Sequence, residues 1–468
     1  FGNFEGLTNG LVSKVMTDRE GLIWFTTYGE GIYKYNNALF TYINKQHGME
    51  NEVVMSLIKD VNGHLWMATL GGLARFDGNK VINYGTENGL LTNQFGGLET
   101  DAEGNIWICT TNAGLYCYLQ KEKTFRHYNF KTIGVPPCRI IKANRDSEGN
   151  IWFSSSAGLF KYDGNQFDLS LTDIDNKQLI WSFAESRTGK KIVGTENGMC
   201  FLEDGIYTAY RGIPELESGI ILTIAQHPSI PDEVFIGVME EGVIHLNLKT
   251  GATSKISMED NLSSNLVYSL IFDDQENLLV GTERGIDRIS FHENGEILLV
   301  KNYNKADGFF GVETNQGAVF KDKDGSIWFG SIRGAFNYKP EEDRINLIPP
   351  NTYLTGVKLF YEKIDWHRYA SEVSDWYGIP RNVQLPYNQN HLTFEFLSSS
   401  LVNQNKVKYQ YKLVPFESSW SPVVDKNEAV YTNIPPGEYT FMVKSCNNDG
   451  IWNEEPTTLS FVVITPYW

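Results

Sequence analysis

Residues 18–35 read Asp18-Arg-Glu-Gly21-Leu-Ile-Trp24-Phe-Thr-Thr-Tyr-Gly-Glu-Gly31-Ile-Tyr-Lys-Tyr35. An Asp-x-x-Gly segment precedes an apolar run centred on Trp24, and Gly31 precedes an aromatic run. Asp-x-x-Gly is a tight-turn signature, because glycine adopts positive φ easily and aspartate hydrogen-bonds its own backbone. The stretch therefore predicts short strands joined by tight turns.

The same pattern recurs along most of the chain. Its anchors are residues 18, 60, 101, 146, 186, 227, 273 and 322, which are 40 to 49 residues apart. The copies at 186, 227 and 273 are degenerate, because they lack the tryptophan and depart from Asp-x-x-Gly. A period near 40–45 residues is the length of four short strands, which form one blade of a β-propeller. A strand–helix solenoid is the rival, but no segment shows a helical period over ten or more residues.

We therefore expect an all-β protein whose residues 1–345 form a β-propeller of four-stranded blades. Eight blades are preferred over the alternative of seven, because all eight copies keep the elements of a blade. The Asp-x-x-Gly turns should all lie on one face of the disc.

The pattern changes near residue 346. After a stretch expected to be irregular (351–385), apolar residues alternate with polar ones, as in Leu392, Phe394 and Phe396. Such alternation is typical of half-buried strands, and about seven of them in residues 346–468 indicate an immunoglobulin-like sandwich.

Composition excludes several classes of function. The formal net charge of −17 disfavours nucleic acid as a partner. Five cysteines without a CxxC pair favour neither a disulfide framework nor a thiolate zinc site. The sequence has no run of about 18 apolar residues, so nothing in it indicates a membrane span. Because the chain opens inside a repeat, we interpret it as an excerpt of a longer protein.

Catalytic and cofactor signatures are missing from the sequence. It has no nucleophile-elbow, zinc-protease, phosphate-loop or dinucleotide motif, and its eight histidines lack metal-ligand spacing. Asp322-Lys-Asp324 is better interpreted as a turn than as a calcium loop, and Glu240-Glu241 as a solvated loop. We expect no catalytic residue, metal or cofactor.

The repeats resemble the two-component regulator propeller repeat, whose core is Asp-x-x-Gly-x-Leu-Trp-Ile-Gly-Thr-x-x-Gly-Leu. The last copy, from Glu313-Thr-Asn315 to Pro340, is similar to the distinctive final blade of that family. Residues 431–441, Tyr431-Thr-Asn-Ile-Pro-Pro-Gly-Glu-Tyr439-Thr-Phe, resemble the triple-tyrosine domain, as do Tyr411, Trp420 and Asp449-Gly-Ile-Trp452. The closing Ile464-Thr-Pro-Tyr-Trp468 is similar to the segment that precedes a membrane helix in such proteins.

This resemblance implies the periplasmic portion of an inner-membrane sensor histidine kinase, often a hybrid kinase and response regulator. It implies an oligosaccharide ligand, control of glycan-utilisation genes, a membrane helix after Trp468 and a homodimer through the C-terminal sandwich. A propeller glycosidase or lyase and a protein-binding scaffold remain alternatives.

Loops opposite the Asp-x-x-Gly face, together with the starts of the inner strands, are the expected ligand site, since function collects on loops over a rigid scaffold. Aromatic rings stack on sugars, and amide, carboxylate and guanidinium groups bond hydroxyls. The candidate ligand-binding residues are Tyr28, Asn93, Trp181, Asn197, Glu241, Tyr268, Arg284, Asn315 and Arg333.

Overall fold

The computed structural model describes residues 11–29, 31–35, 39–169 and 178–465. The chain forms two compact units, one of residues 38–343 and one of residues 1–37 together with 344–468. Each unit is described separately below.

The larger unit is a ring of seven four-stranded antiparallel sheets. Along the chain, the first strand of this unit is β4 (Phe40–Ile43). Blade 1 has β5 (Val54–Lys59), β6 (Leu65–Thr69), β7 (Gly72–Phe76) and β8 (Val81–Tyr84). Blade 2 has β9 (Phe95–Thr100), β10 (Ile106–Thr110), β11 (Leu115–Leu119) and β12 (Thr124–Tyr128), and helix α1 (Phe130–Ile133) follows. Blade 3 has β13 (Ile140–Arg145), β14 (Ile151–Ser155), β15 (Gly158–Tyr162) and β16 (Phe167–Asp168).

The remaining blades repeat this order. Blade 4 has β17 (Ile180–Glu185), β18 (Lys191–Thr195), β19 (Gly198–Glu203) and β20 (Ile206–Ala209), followed by α2 (Pro214–Ser218). Blade 5 has β21 (Ile221–Gln226), β22 (Glu233–Val238), β23 (Gly242–Asn247) and β24 (Thr253–Ile256). Blade 6 has β25 (Val267–Phe272), β26 (Leu278–Thr282), β27 (Gly285–Phe291) and β28 (Ile297–Tyr303). Blade 7 combines β29 (Thr314–Lys321), β30 (Ile327–Ser331) and β31 (Gly334–Tyr338) with β4.

The ring closes because β4 becomes the outer strand of blade 7, where Ile43 pairs with Ala335. Inner strands β29 and β5 are then neighbours, as are the inner strands of every other consecutive pair of blades. In blades 1, 2, 3 and 7, the Asp-x-x-Gly turn joins the first strand to the second, which places these turns on one face as predicted.

Repeat tryptophans of the ring pack between neighbouring blades. Trp66 of blade 1 packs on Tyr118 of blade 2 with ring centroids 4.7 Å apart, and Trp152 of blade 3 stacks on Phe183 of blade 4 at 4.8 Å. A blade thus buries both of its faces against neighbours, which explains why its second strand is apolar on both sides.

The predicted eight-bladed ring is wrong, and the alternative count of seven is the one observed. The first copy, residues 18–35, forms a separate three-stranded sheet of β1 (Val12–Thr17), β2 (Ile23–Thr27) and β3 (Gly31–Tyr35). The strand that would complete it, β4, belongs to blade 7. The propeller therefore occupies residues 38–343 and not 1–345.

The C-terminal region is a two-sheet sandwich. Its strands are β32 (Thr352–Leu359), β33 (Glu372–Val373), β34 (Pro380–Arg381), β35 (Val383–Leu385), β36 (Leu392–Ser398), β37 (Lys408–Val414), β38 (Glu428–Tyr431), β39 (Gly437–Cys446) and β40 (Thr457–Val463). One sheet is β32-β36-β38 and the other is β35-β40-β39-β37. Phe394 and Phe441 stack between the sheets with centroids 4.0 Å apart. The predicted sandwich is confirmed. The stretch 351–385, expected to be irregular, contains β32 and the short strands β33, β34 and β35. Strand β32 was missed because a register shift between Leu354 and Gly356 breaks its alternation, and the other three because they have only two or three residues.

Short 3-10 helices lie at Lys45–His47, Thr86–Asn88, Met258–Asp260, Lys305–Asp307, Pro340–Glu342, Trp366–Arg368 and Gln404–Lys406. Within the described ranges, no helix has the length and apolarity needed to cross a bilayer. The membrane helix expected after Trp468 and the closing residues 466–468 lie outside the described residues.

Candidate ligand site at the channel mouth

Every inner strand of the ring pairs irregularly near its start. The shifts lie at Val54/Ser56, Ile140/Lys142, Ile180/Ser182, Ile221/Thr223, Val267/Ser269 and Thr314/Val319, and opposite Ile108/Thr110 in blade 2. A β-bulge leaves an extra residue unpaired and re-aims its side chain. The extra residues include Met55, Ile141, Trp181, Leu222 and Tyr268. At least one position per blade is thus freed from the ladder near the axis of the ring.

Blade 7 carries the longest irregular segment, residues 315–318, and this segment reaches across the ring. Asn315 Nδ2 donates to the Val54 carbonyl of blade 1 at 2.8 Å, and Gln316 Nε2 donates to the Leu222 carbonyl of blade 5 at 3.1 Å. Gly317, at φ +58°, leaves the space that the Lys142 ammonium of blade 3 occupies. The channel is therefore filled here by segment 315–318 and Lys142.

A cavity of about 80 Å³ lies at this level. Its lining is Met55, Ser56, Leu70, Phe95, Gly96, Gly97, Thr111, Arg139, Ile140, Ile141, Lys142, Trp181 and Gln316. Leu70 and Thr111 belong to turns between second and third strands, and Arg139 lies just before inner strand β13. The cavity consequently opens toward the face on which the sequence predicted ligand binding.

The cavity presents hydrogen-bond donors and cations. Arg139 and Lys142 line it, and its lining contains no Asp, Glu or His. Trp181 Nε1 is buried and finds no hydrogen-bond partner among the described residues. Such a set of groups suits a ligand that accepts hydrogen bonds and carries negative charge.

Lys142 is held in an unfavourable state for a cation. Its side chain is only partly exposed and lines the cavity. Burial lowers the pKa of Lys142 to about 8, and the Glu99 carboxylate on neighbouring β9 opposes that shift. Burial also raises the pKa of Glu99. In the part of the chain that the structure describes, Lys142 and Glu99 form no direct ion pair.

Lys142 also breaks the pattern of the ring. It lies four residues before its repeat anchor, Asp146. The residues at the same position in the other six blades are Ser56, Gly97, Ser182, Thr223, Ser269 and Ala318. All six are small and buried, and space is short there, because a Cβ on Gly97 would lie 2.6 Å from the Lys142 Cα. Packing alone thus does not account for a lysine at this position.

One predicted site residue, Trp181, lines the cavity. Two others, Tyr268 and Asn315, lie on inner strands, and Asn315 anchors the channel segment. Burial, reinforced by a hydrogen bond with Glu313, raises the pKa of Tyr268 to about 12.

The other predicted residues lie on loops. Asn93 caps its own loop, where its Oδ1 accepts from Thr86 N at 2.8 Å. Four occupy turns between second and third strands of the ring, namely Asn197, Glu241, Arg284 and Arg333. Glu241 pairs there with Lys255. Tyr28 is 74% exposed in the turn between β2 and β3, outside the ring, and does not line the cavity.

The sequence analysis missed Arg139, Lys142 and Gln316. Lys142 could have been found by aligning the repeats on their anchors, since it is the one charged side chain at that position in the ring. The first copy, outside the ring, carries Lys14 there. Arg139 and Gln316 carry no comparable signal, because Arg139 lies in the connection before β13 and Gln316 lies in the irregular segment 315–318.

Comparisons with known proteins agree with this architecture. Residues 400–463 match the Y_Y_Y domain. The extracellular domain of a protein described as a hybrid two-component system of B. thetaiotaomicron has the same fold, with a TM-score of 0.80, 23% identity, and coverage of 98% of this chain and 62% of that one. A second such domain from that organism matches with a TM-score of 0.52, 20% identity, and coverage of 98% and 64%.

The chain resembles the sensor region of a hybrid two-component histidine kinase. That resemblance, which the sequence predicted, extends to a curated relative, histidine kinase P4 of Formosa agariphila, at 24% identity over 99% of this chain. The chain spans about a third of that relative, 32% of its length. A streptogramin B lyase is similar in fold to part of the chain, with a TM-score of 0.50, 13% identity, and coverage of 64% of this chain and 96% of that one.

Proposed function

We propose that this chain is the periplasmic ligand-sensing region of an inner-membrane hybrid sensor histidine kinase. Its ligand is an oligosaccharide, and its output is the control of glycan-utilisation genes. The observation that carries the proposal is the cavity at the channel mouth, which is lined by hydrogen-bond donors. It lies in a chain that resembles, over nearly its whole length, an extracellular domain of such a system and a histidine kinase.

The turn residues around the cavity suit a saccharide. Asn197, Arg284 and Arg333 are exposed on the face to which the cavity opens, and they offer amide and guanidinium groups to hydroxyls. Trp181 adds an aromatic surface at the bottom.

Sensing is favoured over catalysis by the lining of the cavity. A glycosidase needs an acid and a base or nucleophile on opposite sides of the scissile bond, usually two carboxylates. The lining contains two cations and no carboxylate or imidazole. Among the described residues, no group of three or more His, Cys, Asp and Glu is placed to hold a metal ion.

The sandwich would pass the signal to the membrane as a homodimer. Strand β32 is an edge strand of eight residues, and edges of this kind can pair across a two-fold axis. Ligand-dependent cross-linking of single cysteines on β32 in the full receptor tests this arrangement, and cross-links confined to the propeller would contradict it.

Binding can be tested with the chain itself. We expect isothermal titration calorimetry against a panel of neutral and acidic oligosaccharides to detect at least one ligand, released unchanged at the end. Trp181→Ala should lower the affinity for that ligand tenfold or more, because stacking and an indole donor are lost. Trp376 is an exposed tryptophan of the sandwich, and Trp376→Ala should leave the affinity unchanged. Conversion of the saccharide to products, or no binding across the panel, would contradict the proposal.

A further inference from the structure

We infer that the cavity at the channel mouth binds an anionic group of the ligand, a carboxylate or sulfate on a saccharide, between Arg139 and Lys142. This inference rests on the proposed function, because it names the chemistry of the ligand for the same face of the propeller.

The charge of the cavity runs against the charge of the molecule. The chain carries 57 acidic and 40 basic residues, a net charge of −17. Yet the lining of this cavity holds two basic side chains and no acidic one. An acidic protein generally repels anions, so a cationic pocket on it gives local selectivity that the rest of the surface does not.

Lys142 also lacks a structural role that would explain its charge. Its ammonium makes no direct ion pair within the described residues, and it points across the channel to Gly317 of blade 7. An enclosed ammonium without a paired anion opposes folding, whereas a bound carboxylate or sulfate would compensate its charge. The six other blades place a small residue at this position, so the ring does not need a lysine for packing.

A third donor points to the same occupant. Trp181 lines the cavity, and its Nε1 is buried and has no acceptor among the residues described. A buried donor of this kind costs free energy until an acceptor reaches it. An oxyanion between Arg139, Lys142 and Trp181 would satisfy all three groups.

The size of the cavity restricts what enters it. A volume of about 80 Å³ is far below the several hundred Å³ of pockets that enclose a whole ligand. A substituent of one sugar ring would therefore fill the cavity, and the rest of the saccharide would lie over the exposed turns of the same face.

The test uses the chain with four probes: digalacturonic acid, galactose 6-sulfate, neutral galactobiose and inorganic sulfate. We expect calorimetry to show that at least one acidic saccharide binds tenfold or more tightly than galactobiose. The carboxylate and sulfate probes distinguish the two sources of the charge. Lys142→Met should lower the affinity for the acidic probe at least tenfold, whereas the affinity for galactobiose should fall much less.

Lys249→Met is the matched control, since Lys249 is exposed on the turn between β23 and β24. Lys249→Met should leave the affinities for all four probes unchanged. Arg139→Met should lower the affinity for the acidic probe as Lys142→Met does. Because Arg139 is exposed, this change serves as the second variant if Lys142→Met does not fold.

The outcomes separate this inference from the proposed function. Equal binding of acidic and neutral saccharides, or full affinity in both variants, would overturn the anion site and leave the sensor proposal standing. If no saccharide binds, the sensor proposal fails, and inorganic sulfate alone decides: weaker sulfate binding in Lys142→Met would support the anion site, and equal binding would overturn it.

Discussion

A single carboxylate links turn and core in the tryptophan-bearing repeats. Asp146 Oδ1 accepts from the backbone N–H groups of Glu148 and Asn150, and its Oδ2 accepts from Trp152 Nε1 at 2.7 Å. Burial raises the pKa of Asp146, but the hydrogen bonds from Trp152, Asn150 and the turn backbone outweigh it, so the pKa is lowered overall. The aspartate of the motif therefore satisfies a buried indole as well as shaping the turn.

Blade 7 departs from this arrangement. Asp322 pairs there with Lys59 of blade 1, and Trp328 Nε1 is buried without a hydrogen-bond partner in the described part of the chain. The two residues match the repeat pattern in sequence. Their different contacts depend on a neighbouring blade, which the motif does not encode.

Lys142→Met is expected to stabilise the protein at pH 7. Burial lowers the pKa of Lys142 from its ordinary value of 10.5 to about 8, so folding favours the neutral amine. Below pH 8 the lysine is charged in both the folded and the unfolded chain, and its full penalty on folding applies. Between pH 8 and 10.5 the folded chain has lost this proton and the unfolded chain still binds it, so the penalty decreases as the pH rises. The gain should be about 1–3 kcal/mol at pH 7, with Glu99 reducing it.

Urea denaturation at pH 7 and pH 10 measures this effect. The difference between Lys142→Met and wild type should shrink as the pH rises, and Lys249→Met should show no difference at either pH. A variant less stable than wild type at pH 7 would mean that the lysine has a structural role, contrary to this account.

Strand β4 is the element that decides the number of blades. Phe40 is 5% exposed, and its ring packs against Tyr303, Phe309 and Tyr338, with centroids 5.4 to 5.7 Å apart. The outer strand of blade 7 thus comes from the N-terminal end of the ring, and its pairing with β31 joins that end to the C-terminal end of the ring.

Phe40→Ala is therefore expected to weaken ring closure. Loss of a buried phenylalanine typically costs about 3–5 kcal/mol. Limited proteolysis should cut the variant near residues 36–44 well before wild type, and denaturation should show the loss of stability. Thr41→Ala, at an exposed position of the same strand, is the control. Equal protease resistance of Phe40→Ala and wild type would show that β4 does not close the ring.

The repeats and the alternating strands of the sandwich could be predicted from sequence, because each depends on local periodicity. The number of blades could not, since it depends on whether β4 pairs with β3 or with β31, two partners far apart in the chain. The site was predicted only in part. Trp181 was found as an aromatic residue at an inner-strand start, whereas Arg139 lies in a loop before β13 and Gln316 in the irregular segment 315–318.

At the scale of the whole molecule, the propeller is a closed scaffold with a filled channel. Blades 1, 3, 5 and 7 meet through Asn315, Gln316, Gly317 and Lys142. A ligand at the channel mouth would contact several blades at once. A change in their relative arrangement requires that the ligand bind one arrangement better than another.

Hydrogen-exchange mass spectrometry can show whether this face of the ring recognises the ligand. The chain is compared with and without the acidic saccharide that binds more tightly in calorimetry, digalacturonic acid or galactose 6-sulfate, at a saturating concentration. The account predicts slower exchange in residues 139–142, 180–182 and 315–318, with residues 352–463 unchanged. Slower exchange confined to residues 352–463 or to the Asp-x-x-Gly turns would contradict it.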